Sequence, residues 1–144
     1  MTNKQYGVAI VEFALVLPLL LILTFITTEF GRALYQYNIL TKSVRDAARY
    51  LSVQTPGDTT IYPTAKNLVV YGNPAGTGST LAYGLSTAMI SDPVWQLQGF
   101  SPVINTVTIT ITGYTFKPLI TSAFGVNFGN ISYAPISATM RGAL

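Results

Sequence analysis

The chain has 144 residues, of which 49% are hydrophobic and 9% charged, with a mean hydropathy of +0.43. Soluble domains carry about 25% charged residues, so this balance points to a membrane or a packed assembly, and the length fits one small domain plus an extra element. A net charge of +3 from eight scattered basic side chains offers no Lys/Arg block to follow phosphates, which argues against nucleic acid as a partner. With neither Cys nor His, disulfides, thiolate nucleophiles, the usual zinc ligands and Ser-His-Asp catalysis are removed. Five dispersed acids remain, Glu12, Glu29, Asp46, Asp58 and Asp92. The expectation is a protein that is not an enzyme and uses no cofactor, metal or small-molecule substrate.

Met1–Gly7 is a short polar leader. Val8–Thr28 follows, 21 residues with one charge, Glu12. As a helix it would be about 31 Å long, close to the ~30 Å hydrocarbon core of a bilayer, and Pro18 inside it is tolerable there. Three readings compete. A cleaved secretory signal needs a basic n-region, a shorter apolar stretch and an A-x-A-like site; here only Lys4 precedes the run, and "TFITTEFGRA" has no convincing site. A plain anchor fits the length and leaves Glu12 to snorkel. In the third reading a peptidase cuts after Gly7, so that Val8 gains a free α-amine, mostly protonated at neutral pH, and Glu12 becomes the fifth residue of the shortened chain. The amine can meet Glu12 one turn away in the same helix, or the Glu12 of a neighbouring chain, where the pair would set axial register between packed helices.

The helical period continues past the apolar run. Phe30, Ala33, Leu34, Tyr37, Thr41, Val44, Ala48 and Leu51 recur at spacings of three and four, and Thr55-Pro56-Gly57 stops the helix. One helix from Val8 to about Leu51 would span ~66 Å. The stripe is expected to pack on its own domain. Tyr35, Ile39 and Tyr50 lie on the opposite face, among Arg32, Lys42 and Asp46. They are either ordinary surface or contacts toward neighbouring subunits.

Beyond Gly57 the composition turns to Thr, Gly, Pro and Tyr. "PTAKNLVVYG" (Pro63 to Gly72) reads as a two-turn helix ending at Gly72 or as a strand. "GNPAGTGST" is a loop without the lysine of a phosphate-binding P-loop. "LSTAMI" (Leu85 to Ile90) reads as a strand. "VTITIT" (Val107 to Thr112) alternates strictly, with Val107, Ile109 and Ile111 facing a core. The parity then changes at Gly113, in favour of Tyr114 and Phe116, as at a bulge. "PLITSAF" (Pro118 to Phe124) reads as a short helix opened by proline, and "NISYAPISATMR" as a last strand, broken near Pro135 at an edge or a bulge. The fold class is therefore α+β: a long helix whose outer half carries a small antiparallel sheet. The expected division is leader 1–7, helix 8–54 with its membrane part at 8–28, and a β-rich domain over 55–144. Asp58 and Asp92 are the only acids there that a hydrolase could use.

Gly7 followed by Val8-Ala9-Ile10-Val11-Glu12-Phe13 resembles the processing site of type IV prepilins. With "GVAIVEFALVLPLLLILTF" and "EFGRALYQYNILTKSVRDAARYLS", the stretch Gln5 to Ser52 is more narrowly similar to the TadE family of pilin-like proteins of the Flp (tight-adherence) pilus. The resemblance implies a pilin-like fold and a single-pass precursor in the bacterial inner membrane. Gly7 and Val8 would flank the cut of a prepilin peptidase, and Glu12 and Phe13 would serve assembly. Partners would be other pilin-like subunits and an inner-membrane assembly platform. It also implies a cytoplasmic leader and an extracytoplasmic outer domain, whereas Lys4 against Arg32, Lys42 and Arg45 taken alone favours the reverse orientation. A minor pilin is the leading expectation. A membrane-anchored extracytoplasmic binding module is the alternative, and any adhesive activity would lie in Gly57–Leu144.

Overall fold

Forty-eight consecutive residues, Gln5–Ser52, form one α-helix, α1. The structure, a computed structural model, describes residues 5–142; Met1–Lys4 of the expected leader lie outside them. The helix runs without interruption through Pro18, which cannot donate to the Ala14 carbonyl, and through Gly31. It ends as the sequence predicts: Gln54 N–H donates to the Leu51 carbonyl at 2.9 Å, and Gly57 adopts a left-handed φ of 81°. The chain divides into two compact units, and the division falls inside α1. One unit joins the helix up to Leu34 with Lys117–Ile131; the other holds Tyr35–Phe116 and Ser132–Leu144.

In the second unit, α1 buries Leu40, Ser43, Val44, Ala47, Ala48 and Leu51, a set at helical spacing. Four of the expected stripe positions are met by Ala33, Val44, Ala48 and Leu51, which are buried. Phe30 and Leu34 are not: they stand 59% and 49% exposed. The stripe turns about the helix, so that the half nearer the N-terminus presents Ala33 and Glu29 inward instead.

α2 (Tyr62–Tyr71) is a helix, as one of the two sequence readings holds. Proline occupies its first turn, Ala65, Val69 and Val70 are buried, and Gly72 caps it at a φ of 72° with its N–H on the Leu68 carbonyl. A β-carbon at Gly72 would come within 3.3 Å of Leu81, so this position needs glycine for conformation and for space. Leu81 N–H donates to the Val70 carbonyl at 2.8 Å.

The main sheet is antiparallel with strand order β1–β2–β7, where β1 is Val94–Gln98, β2 Ile104–Ile111 and β7 Ile136–Arg141. Its core face presents Val107, Ile109 and Ile111 in the central strand, as the alternation predicts, with Ile136 buried beside them. Trp95, Val107 and Met140 stand in one cross-strand row. The other face is polar: Thr108 and Thr139 are paired residues whose hydroxyls lie 2.7 Å apart. Sheet and helix share one core, in which Leu40, Val44 and Leu51 cluster with Val69, Val107, Ile109 and Ile136. This is the expected α+β arrangement, a long N-terminal helix on a small antiparallel sheet.

Three local expectations are corrected. "LSTAMI" is no strand: Thr87–Met89 is a 3-10 turn, and only Ile90 reaches the sheet, bridging Ile111. The third strand is "VWQLQ" instead, an edge whose Leu97 is 75% exposed, so its apolar residues carry no inward alternation to read. "PLITSAF" is no helix. Its Ser122–Ala123 (β4) pairs with Val126–Asn127 (β5), because Phe124-Gly125 turns the chain and so short a helix is marginal alone. "NISYAPISATMR" is two strands, β6 (Ile131–Ser132) and β7, separated at Pro135. β6 forms a small two-stranded piece with β3 (Thr115–Phe116). The expected edge position of the last strand holds. Gly113, at a φ of 71°, marks the parity change after which Tyr114 and Phe116 are buried.

Candidate membrane and assembly segment

The first turns of α1 contain Gly7 and Val8 in helical conformation. A β-carbon at Gly7 would meet nothing within 4 Å, and its φ lies outside the left-handed region. Neither packing nor backbone therefore calls for glycine, although glycine in a helix costs about 1 kcal/mol relative to alanine. Val8 and Phe13 are 67% and 60% exposed, and Glu12 is exposed between them. Among the described residues no hydrogen-bond or salt-bridge partner meets the Glu12 carboxylate. Its neighbourhood is apolar on every side: Ile10, Val11, Leu15 and Val16 stand out from the helix.

From here the helix is long and apolar enough to cross a membrane, and none of its most apolar window is buried. Only Pro18, Leu21, Ile22 and Phe25 are partly shielded, a single face that leads on to Glu29 and Ala33. Near the far end three threonines use their hydroxyls within the helix: Thr24 donates to the Leu20 carbonyl, Thr27 to Leu23 and Thr28 to Thr24, at 2.8–2.9 Å. No hydroxyl hydrogen there is left seeking water.

Glu29 closes the apolar run and was invisible as a site in the sequence. It is 7% exposed. Its Oε2 accepts from Arg32 Nη1 at 2.6 Å and from the Leu119 backbone N–H at 3.3 Å. The i,i+3 spacing of Glu29 and Arg32 is the signal that announces the ion pair; nothing in sequence announces Leu119, ninety positions away. The carboxylate thus clasps the Lys117–Ile131 excursion to α1 within their common unit.

The three candidate contact residues differ. Tyr35 is 69% exposed. Ile39 is half-buried and lines, with Lys42, Ser43, Asp46, Leu68 and Leu81, a groove of about 320 Å³. Tyr50 packs against the core. The structure does not bring them together as one patch. Tyr37, from the predicted stripe, instead joins an aromatic group, its ring 5.5 Å from Tyr133 at right angles, with Tyr114 5.6 Å further on. Tyr114 donates its hydroxyl hydrogen to the Tyr83 carbonyl at 3.0 Å. Burial pushes both the Tyr114 and Tyr133 phenols above the ordinary tyrosine range, and their mutual proximity adds to this at Tyr114.

Asp58 and Asp92 have structural occupations. Asp58 accepts from Thr60 N and Oγ1 at 2.9 and 2.7 Å, which caps a 3-10 turn and holds its carboxyl below the usual range. Asp92 pairs with Lys66 at 2.6 Å. Each carboxylate thus has a cationic or hydroxyl partner.

No curated protein and no solved structure gives a significant match to the chain. The helix that carries Gly7, Glu12 and Glu29 does find one: residues 7–49 match the family model described as TadE-like protein, so this N-terminal segment is similar to the TadE-like proteins.

Proposed function

We propose that the chain is a Tad pilus-associated membrane protein that works as a pilin-like subunit, a minor pilin. Val8–Thr28 spans the inner membrane with the outer domain extracytoplasmic, and a prepilin peptidase removes Met1–Gly7. The single observation that carries the reading is the pairing of a glycine that its surroundings do not require with an acid five positions on that has no partner among the described residues. Cleavage between Gly7 and Val8 creates an ammonium group next to apolar helix, and Glu12 supplies the complementary charge. In one chain the two groups lie a turn apart; between chains the same attraction fixes how far one stem slides along its neighbour. The uncovered apolar face of α1 exchanges lipid for other stems at little net cost, because both surroundings are equally apolar. The assembly platform and other pilin-like subunits are the partners this requires.

The test is the N-terminal mass of the protein recovered from membranes of cells that contain the peptidase. A chain beginning at Val8 is expected; an intact Met1 overturns processing. A membrane-anchored binding module, the competing function, is indifferent to Glu12→Leu, whereas the pilin reading requires that this variant stay in the membrane and fail to assemble.

A further inference from the structure

We infer that the Lys117–Ile131 excursion is a second membrane contact, whose hairpin tip at Phe124 sits in the lipid interface where α1 leaves the bilayer. The inference rests on the reading of Val8–Thr28 as membrane-spanning. The first argument is position. The excursion belongs to the same compact unit as the apolar half of α1, and the Leu119 amide is held by Glu29, one residue beyond the end of the span. The second is chemistry. From Lys117 to Ile131 the only charge is Lys117 itself, while Leu119, Phe124, Val126 and Ile131 are 77%, 58%, 39% and 40% exposed. The polar side chains among the rest are Thr121, Ser122, Asn127 and Asn130, all uncharged, and aromatic residues amid such neutral polar ones suit the headgroup level.

The third argument is the turn. Ala123 pairs with Val126, and the two residues between, Phe124 and Gly125, have φ of 50° and 81°. Phe128 N–H extends the ladder to the Thr121 carbonyl at 2.9 Å. Two-residue turns with positive φ at both positions favour Asn-Gly. A bulky side chain in the left-handed region is an outlier there, so a large ring occupies the place where asparagine would fold better. Lipid is the occupant this patch fits. Four exposed side chains fall far short of the ~20–30 residues per side of a stable protein interface, whereas lipid contact accumulates one apolar side chain at a time, and the patch shares its unit with the uncovered face of α1.

The chain has no cysteine, so single substitutions Phe124→Cys, Leu119→Cys, Leu20→Cys and Tyr83→Cys each take one environment-sensitive fluorophore. The full-length protein is reconstituted in phosphatidylcholine/phosphatidylglycerol vesicles. Labels at Phe124 and Leu119 are expected to emit to the blue of the Tyr83 label, to be quenched by spin labels near the headgroups, and to lose most quenching by aqueous iodide. Phe124→Asn, which suits the turn better, is expected to return the Leu119 label toward the Tyr83 values while leaving the Leu20 label unchanged. If Leu20 is lipid-quenched and Phe124 is as open to iodide as Tyr83, the inference fails and the membrane reading stands. If Leu20 is not lipid-quenched either, the membrane reading itself fails. Shielding at Phe124 that ignores lipid-borne quenchers and grows with protein density in the vesicle would mean a second copy covers the tip, and would overturn lipid as the occupant. A Leu119 label unmoved by Phe124→Asn would likewise overturn the role of the tip.

Discussion

Glu12 and Glu29 bracket the same apolar run on the same helix, about 26 Å apart, and they are handled in opposite ways. Glu29 is enclosed, bonded to Arg32 and to the Leu119 amide; its charge is satisfied within the chain, and it holds a distant segment in place. Glu12 is exposed among apolar side chains and has no such partner among the described residues. A carboxylate satisfied at home contributes to one subunit's structure. On the proposed function, a carboxylate left unsatisfied in apolar surroundings is matched by something that arrives later, whether a new terminus or another chain.

The contrast breaks first at Glu12. Glu12→Leu is expected to abolish assembly, read as loss of the chain from purified pili or from complexes with other subunits, with the amount in the membrane unchanged; normal assembly would reduce the acid to a snorkelling bystander. The two halves of α1 separate next. Leu40→Ala or Leu51→Ala removes a fully buried side chain and should cost roughly 2–5 kcal/mol in the unfolding of the sheet-bearing unit, whereas Leu20→Ala, on the uncovered half, should leave that transition in place. Glu29→Gln weakens two charge-assisted bonds, so hydrogen exchange over Lys117–Ile131 should quicken by an amount equivalent to about 1–3 kcal/mol, with the sheet's protection unaltered. If the sheet loosens equally, Glu29 is not a local clasp.

A smaller effect belongs to alkaline pH. Tyr114 and Tyr133 hold their protons more tightly folded than unfolded, starting from an ordinary value of 10.0. Stability from these phenols is fully present below pH 10 and is lost as pH rises through the raised folded values. The melting temperature should therefore fall above about pH 10, and the fall should shrink in Tyr133→Phe. Smallest of all in stability is Tyr35→Ala: thermal unfolding should not change, and any weakening of association between chains would assign Tyr35 to a subunit contact.

Much of the architecture was readable because it rests on local periodicity. The length of α1, its stop after Leu51, the cap at Gly72 and the inward set Val107, Ile109 and Ile111 each follow from spacing and from residues with one conformational use. The failures share a cause. At Phe30 and Leu34 an apolar residue has the right spacing, yet what covers a helix face is decided by chain far away in sequence. The third strand was missed because an edge with an exposed Leu97 has no inward alternation, and Phe124 in a left-handed turn contradicts the preference that would have announced a hairpin. At the candidate site, Gly7, Val8, Glu12 and Phe13 form a pattern visible in sequence, and their proposed roles await the tests above. The Glu29–Leu119 bond was not visible there, since a backbone amide carries no sequence mark.

The threonines at 24, 27 and 28 turn their hydroxyls back onto their own helix, and this has a bearing on transfer. A stem whose polar atoms are already occupied brings no unmet demand into whatever surrounds it, so a bilayer and a bundle of like stems are nearly interchangeable hosts. On the proposed function, storage in the membrane and deployment among other stems then differ little in energy along most of the stem's length. The one carboxylate near the N-terminal end can decide which host is preferred, like a single weight on a balanced beam.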